Sequence, residues 1–322
     1  MKKYLITGGC GYIGSHLAFQ LSKDKRNKIV CYDNFLNSNK DVKKYLLNHN
    51  CKIIEGDIRN YKKLKKIIID HRIEYVIHLA GLVGDPACKI NTSLTKKVNL
   101  DASINFFKNC KKFGVKKFIF ASTCSNYGLA TKKIANENTK LNPLSAYAKT
   151  KVNFEKFLIN QNKSKMNIFI LRFATVFGLS ERMRFDLTVN QFTRDIYFNK
   201  KLLIFAANTF RPYCHVKDVS RAIIKVINSK IKFGIYNVGS TKNNFSKKAI
   251  VQKIMSYKKS KNIFYKKETD FDKRDYRVSF KKIFNKLSFK TIYNLDYGIK
   301  ETLSYLRNNK NKNFYVKKYS NT

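Results

Sequence analysis

Short apolar runs alternate with longer amphipathic stretches along the first half of the chain. The runs have the length and apolar content of buried strands, and they occupy residues 3–7, 28–33, 51–55, 75–79, 118–121 and 168–171. The stretches between them repeat apolar residues at helical spacing, as at 12–21, 64–69 and 98–113. This alternation predicts an α/β fold in which helices cover both faces of a parallel sheet.

A glycine-rich segment, Thr7-Gly8-Gly9-Cys10-Gly11-Tyr12-Ile13-Gly14, joins the first predicted strand to the first predicted helix. The free N–H groups and positive dipole end of such a helix start can hold a diphosphate. Gly8 and Gly11 permit the tight turn and the close approach of phosphate, and Gly14 permits close packing of helix on strand. Asp33 ends the second predicted strand, where its carboxylate can accept hydrogen bonds from ribose hydroxyls and repel a 2′-phosphate. The pattern therefore favours NAD over NADP.

Tyr147 and Lys151 lie one helical turn apart in Tyr147-Ala148-Lys149-Thr150-Lys151, so their side chains share one helix face. An unperturbed tyrosine has a pKa of about 10, and a nearby ammonium lowers that pKa by stabilising the phenolate. The positive nicotinamide ring would add to this effect. Tyr147 could then remove a proton from a substrate hydroxyl while hydride passes to the nicotinamide. Thr123, just past a predicted strand, would hold the same oxygen.

The charge of the chain is strongly positive. Its 322 residues include 66 Lys and Arg against 21 Asp and Glu, a formal net charge of +45. Such a balance can indicate binding to nucleic acid or an anionic membrane surface. Here the basic residues are mostly Lys spread along the whole chain, which is typical of codon bias. We expect no nucleic-acid partner, and an electrostatic field that attracts anionic substrates.

Cysteine usage and hydropathy indicate a reduced, cytoplasmic protein. The seven cysteines show no CxxC spacing, and no hydrophobic leader precedes the first strand. No apolar run approaches the length that spans a bilayer, roughly 18 residues. We therefore expect no disulfide framework, no metal site and no membrane span.

Short motifs recur along nearly the whole chain, mostly where predicted strands end. Besides the two segments above, they are Asp33-Asn34, Gly56-Asp57-Ile58, His78-Leu79-Ala80-Gly81, Val98-Asn99, Ala121-Ser122-Thr123, Tyr127-Gly128, Leu171-Arg172, Val176-Phe177-Gly178, Arg211 to Val219 and Tyr236-Asn237-Val238-Gly239. With these motifs the chain resembles the extended short-chain dehydrogenase/reductases, in particular the NAD-dependent nucleotide-sugar epimerase/dehydratase family typified by UDP-glucose 4-epimerase. The resemblance implies a Rossmann-type doubly wound parallel sheet with a smaller, mostly C-terminal substrate-binding domain. It also implies bound NAD, a nucleotide-sugar substrate and a homodimer.

The resemblance also implies a role for each matched residue. Thr123, Tyr147 and Lys151 match the catalytic Ser/Thr, Tyr and Lys of the family. The matched cofactor-binding positions are Gly8, Gly11, Tyr12, Ile13, Gly14, Asp33, Asn34, Asp57, Ile58, Ala80, Gly81, Asn99, Tyr147 and Lys151. The matched substrate-binding positions are Thr123, Tyr147, Thr175, Arg211 and Arg274.

The same resemblance divides the chain into two domains. Residues 1–178, with about 214–240, would form the NAD-binding domain; 179–213 and 241–322 would form the nucleotide-sugar-binding domain. Beyond residue 179 the periodicity is looser and predicts helices at 185–198, 216–228 and 299–306. The lysine-rich end, with Lys310, Lys312, Lys317 and Lys318, is predicted to fray.

Departures from the family pattern narrow the possible reactions. Members that dehydrate or decarboxylate sugars carry acids just after the position of Thr123, where this chain has Cys124 and Ser125. Neither side chain can serve as the general acid and base of water elimination, so a dehydratase is disfavoured. Thr175 stands where epimerases of the family commonly have Asn. We interpret His78, His215 and Cys124 as structural, and Asp85-Pro86 as a turn at the rim of the cleft.

Three functions remain open. The first is a nucleotide-sugar epimerase, acting at C4 through a transient 4-keto-sugar. The second is an NAD(P)H-dependent reductase of a nucleotide 4-keto-sugar, which uses the same three catalytic residues once. The third is a non-catalytic NAD- or RNA-binding regulator, which only the net charge of +45 supports.

Overall fold

The structure, a computed structural model, describes residues 1–37, 40–84, 88, 90–129, 134–266 and 274–321. Its main sheet has seven strands in the order β3-β2-β1-β4-β5-β6-β10, and every pairing is parallel. The strands are β1 Lys3–Thr7, β2 Lys28–Asp33, β3 Cys51–Glu55, β4 Tyr75–His78, β5 Lys117–Thr123, β6 Asn167–Phe173 and β10 Phe233–Val238. The first six follow the order of a doubly wound dinucleotide-binding sheet, as predicted.

Helices pack on both faces of this sheet because the strand side chains alternate between the faces. In β5, Phe118 and Phe120 enter one buried cluster, whereas Ile119 and Ala121 enter the other. The helices of this half are α1 Tyr12–Ser22, α2 Lys40–Asn48, α3 Tyr61–Asp70, α4 Thr92–Lys96, α5 Ala102–Lys112 and α6 Ala146–Ile159.

The helix predicted over 98–113 is interrupted. A π-helical turn, Lys97–Asp101, separates α4 from α5, and Asn99 lies at its centre. A wider turn of this kind redirects the side chains within it, and π-turns are frequent at functional sites.

The second half of the chain adds smaller elements beside the carboxyl ends of the main strands. The further strands are β7 Thr175–Phe177, β8 Leu202–Phe205, β9 Phe210–His215, β11 Asn244–Ser246 and β12 Ile263–Lys266. They form a three-stranded sheet, β11-β9-β7, and a pair, β12-β8. The helices are α7 Thr188–Tyr197, α8 Val216–Asn228, α9 Lys247–Met255, α10 Lys281–Leu287 and α11 Leu295–Asn308. Helix α7 begins at Thr188, later than the sequence predicts, and Arg184 and Asp186 form an ion pair in the loop before it.

The predicted fraying of the lysine-rich end is wrong for residues 314–321, which we call the C-terminal tail. Phe314 is 1% exposed and belongs to a buried cluster with Phe185 and Tyr319. The Phe185 N–H donates to the Tyr319 carbonyl at 2.7 Å. Phe314 and Tyr319 are buried, whereas Tyr315, Lys317 and Lys318 are exposed. The tail therefore packs onto the loop that precedes α7 through its two buried aromatic rings.

In the described part of the chain, no helix is both long and apolar enough to cross a membrane. All seven cysteines are buried.

Candidate functional site

A cavity of about 490 Å³ opens at the carboxyl ends of the central strands. Gly8 follows β1, Asp33 ends β2, Ala80 follows β4, Thr123 ends β5, and Ala174 follows β6; all five line it. Ligands of doubly wound folds bind at this edge of the sheet. The cavity also brings together Gly11, Tyr12, Ile13, Gly14, Asn34, Asp57, Ile58, Gly81, Tyr147 and Lys151, which the sequence assigns to cofactor binding.

The glycine turn forms one wall of this cavity and fits a diphosphate. Gly8 has a φ of +70°, and a Cβ there would lie 2.9 Å from the Ala80 nitrogen. A Cβ on Gly14 would lie 2.1 Å from the Gly8 carbonyl oxygen. Gly11 precedes α1 and offers no side-chain cap, so the first N–H groups of the helix remain for an anion.

Two acidic residues, Asp33 and Asp57, also line the cavity. Asp33 accepts hydrogen bonds from the N–H groups of Cys10 and Phe35, each at 2.9 Å. A carboxylate has further lone pairs for ribose hydroxyls. Burial raises the pKa of Asp33, and hydrogen bonds from these N–H groups oppose that shift. Asp57 forms a two-bond ion pair with Arg59 at 2.8 Å, which lowers the pKa of Asp57.

Asn99 lies behind the cavity wall rather than in it. Its side-chain amide accepts from the Leu82 N–H at 2.8 Å and donates to the Leu82 carbonyl at 2.9 Å. A Cβ on Gly81 would lie 2.8 Å from the Asn99 Oδ1. In this geometry Asn99 shapes the loop that follows β4. Direct contact between Asn99 and the cofactor stays a prediction.

The tyrosine–lysine pair lies where this cavity meets the second half of the chain. Ser145 caps α6 by accepting from the Ala148 N–H at 3.2 Å, so Tyr147 lies in the first turn of that helix. The Lys151 Nζ lies 5.7 Å from the centre of the Tyr147 ring. It donates to the Ala121 carbonyl at 3.0 Å, and burial lowers the pKa of Lys151 to about 8. The lysine is thus a buried cation beside the phenol ring.

Thr123 and Ser125 form the turn that follows β5. Thr123 Oγ1 accepts from the Ser125 N–H at 3.0 Å, which leaves the Thr123 hydroxyl hydrogen available for a substrate oxygen. The Ser125 hydroxyl is 3.4 Å from the hydroxyl of Tyr276, a buried residue whose phenol pKa is raised by burial.

A second, larger cavity of about 1020 Å³ adjoins the first, and Tyr147 and Thr175 line both. Six basic side chains line it, namely Arg184, Arg194, Arg211, Lys247, Arg274 and Lys317. The Arg211 guanidinium lies 4.9 Å from the centre of the Tyr276 ring and donates to the Arg274 carbonyl. The predicted substrate residues Thr175, Arg211 and Arg274 are therefore brought together beside Tyr147. This positive wall suits a substrate with several phosphate charges.

The sequence interpretation missed several residues of these walls. Tyr276 and Asn321 line the first cavity, and Tyr315 and Lys317 line the second. Arg182 lines the first cavity, although the segment from Arg182 to Leu187 looks in the sequence like a substrate-loop helix. The tail residues carry no motif, since their position depends on packing against a distant loop. Asp85-Pro86, predicted at the rim of the cleft, lies outside the described residues.

The residues interpreted as structural are deeply buried. His78 lies 2.7 Å from the Thr7 hydroxyl and 2.8 Å from the Ser103 hydroxyl, and burial lowers its pKa to about 3. Burial raises the pKa of the Cys124 thiol far above its ordinary value. A neutral imidazole held on both nitrogens and a protonated buried thiol have no free role in proton transfer or attack.

The fold and site are those of an NAD-dependent enzyme of the extended short-chain dehydrogenase/reductase type. Residues 4–239 match the model of the NAD dependent epimerase/dehydratase family, and the chain belongs to that family. NAD is its cofactor.

Individual relatives are similar to it over nearly their whole length. A UDP-glucuronate 4-epimerase of Thermodesulfobacterium geofontis is 29% identical over 323 residues, covering 96% of this chain and 97% of the relative. A dTDP-D-glucose 4,6-dehydratase of Dictyostelium discoideum is 26% identical, covering 100% of this chain and 86% of the relative. The crystal structure of a UDP-glucose 4-epimerase with UDP-glucose from Thermotoga maritima superposes with a TM-score of 0.86 at 26% identity. That match covers 95% of this chain and 99% of the other.

Proposed function

We propose that this enzyme is a nucleotide-sugar 4-epimerase that acts through a transient 4-keto-sugar. The observation that carries the proposal is the position of Tyr147, whose side chain lines both the cofactor cavity and the basic cavity. A sugar attached to a diphosphate in the basic cavity would present its ring to Tyr147. Thr123 lies on the cofactor side of that position, and Lys151 lies behind the phenol ring.

Each catalytic side chain has one task in this scheme. Tyr147 takes the proton of the C4 hydroxyl and later returns it, which requires a phenolate whose charge Lys151 stabilises. The Thr123 hydroxyl holds the same oxygen in both directions. Bound NAD supplies a reversible acceptor for the hydride on C4. Removal of the hydroxyl proton and of the hydride on C4 would give a ketone. Delivery of the hydride to the opposite face of C4, with return of the proton to the carbonyl oxygen, would give the epimer.

The side chains after Thr123 argue against elimination of water. Cys124 is buried with a raised thiol pKa, and the Ser125 hydroxyl lies within reach of Tyr276. Neither group can exchange a proton as a carboxylate does at neutral pH. The similarity to a dehydratase therefore does not extend to the chemistry at this position.

The basic cavity supports a nucleoside diphosphate as the substrate handle, and the named relatives suggest which sugars to try first. UDP-glucuronate and UDP-glucose are therefore the first substrates to assay. We keep the predicted division into a cofactor-binding part, residues 1–178 with about 214–240, and a sugar-binding part, residues 179–213 and 241–322. The homodimer also remains a proposal.

A proton NMR time course tests the function directly. The enzyme is incubated with UDP-glucuronate, UDP-glucose and the dTDP-, GDP- and CDP-hexoses, with a trace of NAD, beside a Tyr147→Phe variant. The expected result is conversion of one sugar to its C4 epimer without net cofactor reduction, and no conversion by the variant. If every sugar is unchanged while a nucleotide 4-keto-sugar is reduced with stoichiometric consumption of NADH, the enzyme is the reductase and the proposal is wrong.

A further inference from the structure

Arg182 is a buried arginine in the wall of the cofactor cavity. It is 2% exposed and lies between β7 and α7, outside the strands that form the main sheet. Its Nε donates to the Asn37 carbonyl at 2.7 Å, and its Nη2 donates to the Ser320 carbonyl at 2.9 Å. The guanidinium thus joins the loop after β2 to the C-terminal tail.

The segment that carries Arg182 is fastened to the first turns of α1. The Tyr12 hydroxyl donates to the Gly178 carbonyl, and the Ser180 hydroxyl donates to the Tyr12 carbonyl, both at 2.6 Å. The Arg182 N–H donates to the Ser15 hydroxyl at 3.3 Å. These contacts hold Arg182 beside the helix start whose free N–H groups and adjacent glycines fit a diphosphate.

The charge of Arg182 has no carboxylate partner among the described residues. Asp186 and Asp33 each act to raise the pKa of Arg182, but neither forms an ion pair with it in the described structure. Asp186 is instead paired with Arg184 through two hydrogen bonds, at 2.9 and 2.5 Å. Burial lowers the pKa of Arg182 to about 10, so the group is still charged at neutral pH. A buried charge without a counter-ion is costly, which points to an anion that binds here.

A second buried polar group that lacks a partner in the described structure lies in the same wall. The Asn321 Oδ1 is buried without a hydrogen-bond partner in the described structure, although its backbone N–H is held by Asp186 at 3.2 Å. Both Asn321 and Arg182 line the cofactor cavity. The Arg182 guanidinium lacks an anionic partner in the described structure, and the Asn321 Oδ1 lacks a hydrogen-bond donor. This wall is therefore complementary to a ligand that carries both a negative charge and a donor group.

The geometry points to Arg182 as a cofactor-binding residue whose guanidinium is the counter-ion of the NAD diphosphate, oriented for that role by the C-terminal tail. The remaining N–H groups of the guanidinium donate to the diphosphate oxygens, a charge-assisted contact. The two backbone carbonyls fix the plane of the guanidinium before the cofactor arrives. A cofactor held in this way is kept between turnovers, as an epimerase requires. The inference depends on NAD binding alone and holds whichever sugar reaction follows.

Binding measurements on cofactor-free protein test this role without any sugar. Isothermal titration calorimetry gives the Kd of NAD, ADP-ribose and adenosine for the wild type, Arg182→Gln, Arg182→Lys and a chain lacking residues 320–322. Arg26→Gln is the control, since Arg26 pairs with Asp24 at the surface and its side chain is 80% exposed.

We expect Arg182→Gln to weaken NAD and ADP-ribose about 10- to 100-fold, because a charge-assisted contact to the diphosphate is lost. Adenosine has no diphosphate and should change by less than about twofold. Arg182→Lys should fall in between, and removal of residues 320–322 should weaken NAD several-fold while adenosine is unaffected. Arg26→Gln should bind all three ligands as the wild type does.

Two results would overturn the inference. One is an unchanged Kd for ADP-ribose in Arg182→Gln. The other is an equal loss of affinity for adenosine and ADP-ribose, which would mean that Arg182 only supports the fold of the cleft. Thermal unfolding of the ligand-free variants checks that each is folded during the titrations. These Kd values are measured without a sugar and do not depend on epimerase activity. The role of Arg182 and the proposed function are therefore tested separately.

Discussion

The Lys151 ammonium lies 5.7 Å from the centre of the Tyr147 ring, and the two residues are separated by one turn of helix α6. The same ammonium donates to the Ala121 carbonyl, at the end of the sheet. The helix therefore fixes the spacing of the pair, and the strand fixes its depth in the cleft. Because Lys151 is 3% exposed, its charge acts on the phenol with little screening by water.

Because its charge is buried, Lys151 should lower the stability of the folded protein even though catalysis requires it. Burial lowers the pKa of Lys151 from 10.5 to about 8, so between these pH values the unfolded chain binds more protons than the folded one. The free energy of unfolding should therefore rise from about pH 8 to about 10.5, and below pH 8 the charged lysine costs about 3 kcal/mol.

Lys151→Met should consequently stabilise the cofactor-free protein by about 2 kcal/mol at pH 7 and abolish catalysis. The gain should vanish near pH 10.5, as urea unfolding at several pH values will show. Lys156→Met, an exposed position of the same helix, should change stability by less than about 0.5 kcal/mol. A gain in Lys151→Met that persists unchanged at high pH would contradict the assignment.

Thr123 offers a test of the hydroxyl as the group that holds the substrate oxygen. Its Oγ1 already accepts from the Ser125 N–H, so the hydroxyl hydrogen is directed away from that bond. Thr123→Ala should lower kcat about 10- to 100-fold with little change in the Kd of NAD, and Thr123→Ser should retain most activity. Steady-state kinetics with the sugar found by NMR provide the measurement. Equal losses in both variants would indicate a packing role.

Alanine substitutions at Gly8 and Gly114 distinguish the effect of losing a residue that tolerates a positive φ from the effect of filling a restricted space. Both have a positive φ, +70° and +76°, but a Cβ on Gly8 would meet Ala80 while nothing lies within 4 Å of a Cβ on Gly114. Alanine at either position should cost about 1 kcal/mol of stability from backbone strain, and Gly8→Ala should cost more because its Cβ would also meet the Ala80 backbone. Only Gly8→Ala should also weaken NAD binding, by more than about tenfold, in calorimetric titrations. A similar loss in Gly114→Ala would mean that strain alone explains the effect.

Glu155 lies one further turn along α6 from Lys151 and forms a buried ion pair with Arg172 of β6 at 2.7 Å. The pair ties the catalytic helix to the sheet. Glu155→Ala should destabilise the protein by about 3–5 kcal/mol, because it leaves the Arg172 charge buried and unpaired. Replacing both residues by Met should cost much less, and Glu74→Ala, at the surface pair with Lys116, less than about 1 kcal/mol. Urea midpoints compare the four proteins; a double variant as unstable as the single one would contradict this account.

The strands of the sheet and the cofactor loop could be predicted from the sequence because their signals are local. The apolar residues of a run such as Lys28–Asp33 are enough to predict that the strand is buried. A glycine at position 8 likewise indicates a positive φ, which other residues rarely adopt. Tyr147 and Lys151 were paired by helical spacing alone. Each of these predictions needed only neighbours along the chain.

The remaining features depend on contacts between distant segments. Phe314 and Tyr319 stand among lysines and asparagines, and nothing near them in sequence shows that Phe185 packs against both. Arg182 and Arg184 look alike in the sequence, yet only Arg184 meets Asp186 in an ion pair. Asn99 matches a family position, but its place behind the wall follows from the π-turn, which apolar periodicity does not reveal.

The packing of the C-terminal tail also dictates how the enzyme is best produced. Residue 321 lines the cofactor cavity, so a tag fused to the end of the tail would be attached beside the bound cofactor. Met1, in contrast, is 70% exposed and lies two residues before β1. An affinity tag placed before Met1 leaves NAD retention and turnover measurable on the same sample, whereas one attached behind the tail would confound both.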